Sequence, residues 1–287
     1  MNYSKKFIVE PGSSVQLKDI ETQFSKKQGK QRSTIKETAR LQDKMGEFQF
    51  RLFAEHKRSL LIIFQGPDAS GKDGVVRHVL SSMNPQGCRV VGFKQPTPKE
   101  LTHDFLLRIE HNIPKSGEVV IFNRSQYEDV LIVRVHDLVP KEVWSNRYEQ
   151  INKFEQHLIS KGTHILKFFL HISYEEQLRR FKQRLEDPTR QWKISEADYT
   201  EREYWADYET AYEEVFNKCS TTKAPWFIIP SDKKWFRNLA ISQIIVEAMK
   251  KLDIEFLEPT VDINEIRKKY HLVKLEGKKR ERRIANK

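Results

Sequence analysis

Cysteine is scarce in this 287-residue chain, with only Cys88 and Cys219 present. Two thiols without metal or redox spacing exclude a disulfide scaffold and suit a reducing cytoplasm. Long apolar runs are lacking as well. The longest clean run, Leu60 to Phe64, has five residues, whereas a membrane span needs about 20. The start, Met1 to Lys6, leads into no apolar stretch, so a secretory signal is not expected. No internal repeat, long low-complexity segment or Pro/Gly/Ser-rich linker divides the chain. One main α/β domain is therefore expected, since such domains often run to roughly 250 residues. An RNA-binding signature with interleaved aromatics is missing too, which disfavours nucleic acid as the main target.

What is present is charge and a usable core. Hydrophobic residues make up 38% of the chain, and the formal net charge is +11. Residues 1–36 carry +5 and residues 267–287 carry +8, so the middle is close to neutral at −2. A tail such as Lys278-Lys279-Arg280-Glu281-Arg282-Arg283 could be a solvated end or could attract a polyanion.

Short apolar runs alternate with helical periods. Leu41, Met45, Phe48 and Leu52 share one face of a helix predicted over 33–57. Strands are predicted over 60–64, 89–93, 118–122, 165–172 and 226–229. Further helices are predicted over 71–82, 98–111, 140–160, 174–185 and 235–252. This alternation predicts a parallel sheet covered on both faces.

The first strand runs into Gly66-Pro67-Asp68-Ala69-Ser70-Gly71-Lys72-Asp73-Gly74. That stretch fits the first seven positions of G-x-x-x-x-G-K-[ST], between a strand and a helix. Glycine-rich turns of this kind point backbone N–H groups at phosphate oxygens, and Lys72 adds a point charge. Asp73 stands where Ser or Thr would ligate magnesium, and Asp68 puts a second carboxylate inside the cradle. A bare acid there repels phosphate, so a divalent cation between them would explain it. A turn-stabilising Asx contact is the alternative.

The third strand ends in Asn123-Arg124-Ser125-Gln126-Tyr127-Glu128-Asp129. Strand C-termini line the ligand crevice of open α/β sheets. Arg124 could clamp phosphate or pair with Glu128; Glu128 and Asp129 could hold magnesium, or Asp129 could be a helix-turn acid. Arg180 and Arg184 share a helix face, and Pro188 ends that helix before a basic loop with Arg190 and Lys193. This reads as a lid closing on phosphate, or as a solvated charged helix. Tyr199, Tyr204, Trp205, Tyr208 and Tyr212 read as helix packing rather than as a base-stacking platform.

Together these residues resemble the polyphosphate kinase 2 family. The loop at 66–74 resembles its G-x-D-x-x-G-K-D-G signature, and 123–129 resembles its [DN]-R-S-x-Y motif. Asn84-Pro85-Gln86-Gly87, Pro96-Thr97-Pro98, Asp187-Pro188 with Trp192-Lys193, Ala224-Pro225-Trp226 and the run Asp232 to Asn238 look similar as well. The resemblance covers about residues 30–260. It implies a P-loop kinase-like three-layer α/β/α fold with a five-stranded parallel sheet and a helical lid over about 178–200. The implied organisation is a basic N-terminal extension (1–32), a catalytic domain (33–260) and a basic C-terminal tail (261–287).

The implied reaction is magnesium-dependent phosphoryl transfer between inorganic polyphosphate and nucleoside mono- and diphosphates, with manganese able to substitute. Asn123 in place of the more frequent Asp resembles the subgroup accepting both AMP and ADP. By position, Asp68, Lys72, Arg124, Glu128, Asp129 and Arg184 would be catalytic. Gly66, Ala69, Ser70, Gly71, Lys72, Asp73 and Gly74 would bind phosphate, with Arg180 and Lys193 from the lid. Asp68, Lys94, Asn123 and Arg124 would face the nucleotide; Asp68, Glu128 and Asp129 would take the metal. A cytoplasmic homo-oligomer, dimer or tetramer, is implied too. Two rivals stand beside this reading: an ATP-dependent nucleoside monophosphate kinase on the same fold, and a polyanion-binding protein with a vestigial loop.

Overall fold

The computed structural model describes residues 1–24 and 31–272. The main elements, in chain order, are α1 (Gln31–Glu55), β1 (Ser59–Gln65), α2 (Lys72–Val79), β2 (Cys88–Gly92), β3 (Val119–Asn123) and α3 (Lys141–Ser160). Then follow β4 (Thr163–His171), α4 (Tyr174–Glu186), α5 (Trp205–Cys219), β5 (Trp226–Pro230) and α6 (Lys234–Lys251). The five strands pair in parallel in the order β2-β3-β1-β4-β5.

β1 is central and buried along its whole length. It is apolar on both sides because both faces are covered, which is the normal condition of a parallel sheet. Its alternate residues feed different cores. Leu60, Ile62 and Phe64 join a cluster with residues of α1, α2 and α6, including Met45, Val75 and Ile241. Leu61 and Ile63 join a second cluster with α3 and α5, including Ile151 and Val215. Three layers follow from this division of side chains.

The register places the site. Phe64 is level with Asn123 of β3, and Gln65 is level with Phe169 of β4. The segments leaving β1 and β3 therefore emerge side by side at the C-terminal edge. The chain crosses to opposite sides of β1 at this point, which opens a crevice between its loops.

Three expectations are corrected. Residues 98–111 do not form one helix; a 3-10 turn at Glu100–Thr102 and a four-residue helix at Leu107–Glu110 replace it. Asp104, between the pieces, caps the backbone N–H of Leu106 instead of continuing a helix. The N-terminal residues are not a separate extension. Tyr3 and Phe7 of a short helix (Tyr3–Phe7) and Phe24 pack edge-on or stacked against Phe236 of α6, with ring centroids 4.6–5.9 Å away.

The catalytic unit is also bounded differently, as Met1–Ile254, with Glu255–Lys287 as a second unit. That second unit contains a helix at Ile263–Ile266, capped by Asp262, and a π-helical stretch at Arg267–Leu272. The basic run Lys278–Arg283 lies outside the described residues. Among the described residues, no helix is long and apolar enough to cross a membrane.

Candidate active site

The loop between β1 and α2 has a backbone few side chains tolerate. Gly66 (φ 142°), Ala69 (φ 60°) and Gly71 (φ 107°) all have positive φ. The dihedral angle favours glycine at 71, and a Cβ there, 1.9 Å from Nη1 of Arg237, would also push that guanidinium aside. Ala69 is held in the left-handed region at a cost, as functional loops often are.

Two buried arginines brace the loop from behind. Arg180 of α4 donates through Nη1 to the carbonyls of Ala69 (2.8 Å) and Ser70 (2.7 Å). Its Nη2 reaches the carbonyls of Ser231 and Asp232, and its Nε reaches Glu176. Arg237 of α6 donates to the Ser70 carbonyl at 3.3 Å. This corrects the expectation that Arg180 is a phosphate-binding lid residue. Its donors are committed to the protein, and it shapes the loop. Arg237 is a support that sequence reasoning missed. Its only signal was its place in the 232–238 stretch quoted for the resemblance.

On the crevice side, charges interlock. Arg124 donates through Nη2 to Asp68 Oδ1 at 2.7 Å and lies 3.5 Å from Glu128 Oε2. Burial opposes the charged form of Asp68, but Lys72 and Arg124 outweigh it and hold its pKa below the ordinary carboxylate value. Lys72 is buried, and this burial, with the nearby Arg124 cation, brings its pKa down to about 8. Its Nζ donates to the carbonyls of Gly66 (2.6 Å) and Pro67 (3.1 Å).

Asp73 is exposed and accepts from Asn123 Nδ2 (2.8 Å) and Lys193 Nζ (2.6 Å). The expected lid residue Lys193 is thus brought to the loop, on the 3-10 turn Gln191–Lys193. Arg184 instead pairs with Asp198 at 3.1 Å. Lys94 is exposed; its carbonyl accepts from Arg108, and it does not line the main cavity. Asp129 does not share the Arg124 pairing of Asp68 and Glu128. Its carboxylate faces Arg147 at 3.3 Å, and burial raises its pKa to about 6.

The strand-end motif is anchored from below by a buried polar group. Lys167 of β4 is fully buried and donates to Glu155 Oε2 (2.6 Å), Tyr127 Oη (2.9 Å) and the Cys219 carbonyl (2.7 Å). Tyr127 and Gln126 also donate to Glu155 Oε1. These bonds fix the segment bearing Arg124, itself at φ 65°, and Glu128. Lys167→Met should destabilise the fold by about 3–5 kcal/mol in denaturant melts, because Glu155 would be left charged and unpaired. The double variant Lys167→Met/Glu155→Leu should recover much of that loss.

Asp68, Arg124 and Glu128 line one wall of an open cavity of ≈ 950 Å³, counting its mouth. The other walls include Gln177, Asp198, Arg202, Trp205, Tyr208 and Tyr212. The aromatic cluster read as packing is divided. Tyr199 packs on Phe181 and Tyr212 on Phe169, but Trp205, Tyr208 and Tyr212 also face this cavity.

Among the described residues, no group of three or more His, Cys, Asp or Glu side chains converges on a metal position. Asp68 and Glu128 together still fit a hard cation. Magnesium is commonly held by one or two carboxylates, with substrate phosphates and water completing the shell.

Known proteins are similar over most of the chain. The sequence profile of polyphosphate kinase 2 matches residues 27–256. The AMP/ADP-polyphosphate phosphotransferase of Meiothermus ruber is 42% identical over 256 residues, covering 89% of this chain and 96% of that protein. The ADP-polyphosphate phosphotransferase of Rhodopseudomonas palustris is 46% identical over 230 residues, covering 76% and 80%. The crystal structure of polyphosphate kinase 2 from Arthrobacter aurescens TC1 superposes with a TM-score of 0.89 at 38% identity, covering 93% of this chain and 95% of that one. With a strand–loop–helix phosphate cradle, an acid inside it and this extent of match, the chain belongs to the polyphosphate kinase 2 family.

Proposed function

We propose that this protein transfers phosphoryl groups between inorganic polyphosphate and nucleotides, converting AMP to ADP and ADP to ATP. The observation that carries the reading is Asp68. An acid inside a phosphate loop, bridged by Arg124 to Glu128 and flanked by Lys72, suits a site that presents two phosphate groups to each other. The polyphosphate end lies on the loop, with Lys72 leaving the Gly66 and Pro67 carbonyls to meet it. Lys193 covers it from the 191–193 turn. The nucleotide occupies the cavity beyond Arg124, where Trp205, Tyr208 and Tyr212 offer apolar and π surface without a base-specific pattern.

A phosphate oxygen of the acceptor is already ionised, so no general base is needed. Lys72 and Arg124 stabilise the charge that spreads over the transferring group, and the loop N–H groups hold it in line. Magnesium, held by Asp68 and Glu128 with the substrates, would supply neutralisation of phosphate charge; manganese would serve similarly. Asp129, paired with Arg147, is left out of that shell. A cytoplasmic homo-oligomer belongs to the same proposal.

A substrate panel tests the reading. With polyphosphate and magnesium and no ATP, AMP and ADP should both be phosphorylated, and GMP and GDP should report base tolerance. A need for added ATP would instead favour a nucleoside monophosphate kinase.

A further inference from the structure

Charged groups along the cavity walls almost all have a partner of opposite sign or a strong donor. Asp68 and Glu128 share Arg124. Asp198 pairs with Arg184. Glu201 takes His136 at 3.0 Å and the Tyr208 hydroxyl at 3.0 Å. Glu209 accepts from the Trp205 indole N–H at 2.9 Å. Arg202 differs. It is 7% exposed, yet among the described residues no carboxylate lies within 4.0 Å of its guanidinium.

Its hydrogen bonds are two, to the Tyr174 carbonyl (3.0 Å) and Gln177 Oε1 (2.7 Å), and both leave from Nη1. The guanidinium stacks 3.6 Å above the centroid of the Tyr174 ring. Nη2 and Nε have no acceptor among the described residues. The guanidinium has no counter-ion beside it among those residues, and its two free nitrogens are not sealed within the protein. A side chain held flat by a ring and tied at one nitrogen, with two nitrogens uncommitted on a cavity wall, is arranged to receive an anion from that cavity.

Gln177 fixes where that anion lies. The amide that accepts from Arg202 donates through Nε2 to the Asp68 carbonyl at 2.9 Å. Arg202 therefore stands one side chain behind the phosphate loop, on the cavity side. The following step rests on the function proposed above. The reacting phosphate of either acceptor must occupy one place, beside Arg124 and Lys72. AMP then has only its ribose and base further in. ADP has its inner, non-reacting phosphate there. We infer that Arg202 is a specificity-determining residue that binds the inner phosphate of a nucleoside diphosphate acceptor, and so strengthens binding of ADP relative to AMP.

The test is steady-state kinetics of Arg202→Met and Arg202→Lys with polyphosphate as donor. Met keeps an unbranched apolar stem near Tyr174 but is shorter than Arg, loses the guanidinium stack and has neither charge nor donors. KM for ADP should rise about 10-fold or more in Arg202→Met, equivalent to roughly 1.4 kcal/mol. KM for AMP should rise several-fold less than KM for ADP, because AMP has no inner phosphate contact to lose. Arg202→Lys should fall between, because one ammonium replaces a forked donor set.

Equal losses with AMP and ADP would overturn the inference and reduce Arg202 to a support of Gln177 and the loop. An unchanged KM for ADP in a folded Arg202→Met would overturn it too. If Met prevents folding, the same comparison in Arg202→Lys decides: parity between AMP and ADP overturns the role. A wild-type protein inert toward both nucleotides would overturn the underlying function instead, which keeps the two failures distinct.

Discussion

Lys72→Met is expected to lower turnover by about 10³-fold, close to 4 kcal/mol of transition-state stabilisation. The size follows from geometry. Lys72 is buried, so its charge acts at low effective dielectric, and from the loop carbonyls of Gly66 and Pro67 it has only to turn to the polyphosphate end beside it. Met retains length and packing, and the fold should survive. Thermal stability should even rise slightly at neutral pH. The sign follows from linkage. The Lys72 pKa is lowered from 10.5 to about 8 in the folded chain, so the unfolded chain binds the proton more tightly. Burying the protonated amine is thus unfavourable at neutral pH, and wild-type stability should climb as pH rises from about 8 toward 10.5. A thermal-melt series over that range should show the climb in wild type and less of it in Lys72→Met. Near-normal turnover in the variant would remove Lys72 from the chemistry.

Asp68→Asn should lower turnover by about 10²-fold, or roughly 2.7 kcal/mol. The amide keeps the size of the carboxylate and can still accept from Arg124. What it loses is the charge that pairs with Arg124 and would share a cation with Glu128. Half-saturation by magnesium should move to higher concentration. Polyphosphate binding without magnesium should be unchanged or tighter, because a repulsive charge has gone from the cradle. An active Asp68→Asn protein with unaltered magnesium dependence would leave Asp68 as a turn-stabilising residue only.

The sheet was legible in sequence because its central strand, β1, is a short run apolar on both faces, the mark of a covered parallel strand, and the other strands recur between helical periods; the edge strand β2, with Arg89 and no buried residue, carries the weakest signal. The loop at 66–73 was legible because glycine at 66 and 71 answers a backbone requirement. Other parts were hidden for identifiable reasons. An arginine pair four apart looks the same whether solvated or buried, so Arg180, which is buried against the loop, resembled Arg184, which is not. Tyr3, Phe7 and Phe24 have no period that would announce a core role, and basic neighbours masked them. Asp129 adjoins Glu128 in sequence, yet the 3-10 turn at Gln126–Val130 sends the two carboxylates to different partners. Arg202 sits in a stretch dense with charge, and only the absence of a nearby carboxylate distinguishes it. That is a property of three-dimensional surroundings, which residue type and spacing do not encode.

Direct transfer from polyphosphate to the nucleotide is read by isotope transfer. Polyphosphate uniformly labelled with ³²P would be incubated with unlabelled AMP, magnesium and the purified protein, in the complete absence of ATP. Label should appear in ADP first and ATP next, with both slowed about 10³-fold in Lys72→Met. Label that stays in polyphosphate until ATP is added, or that appears only as free inorganic phosphate, would contradict it.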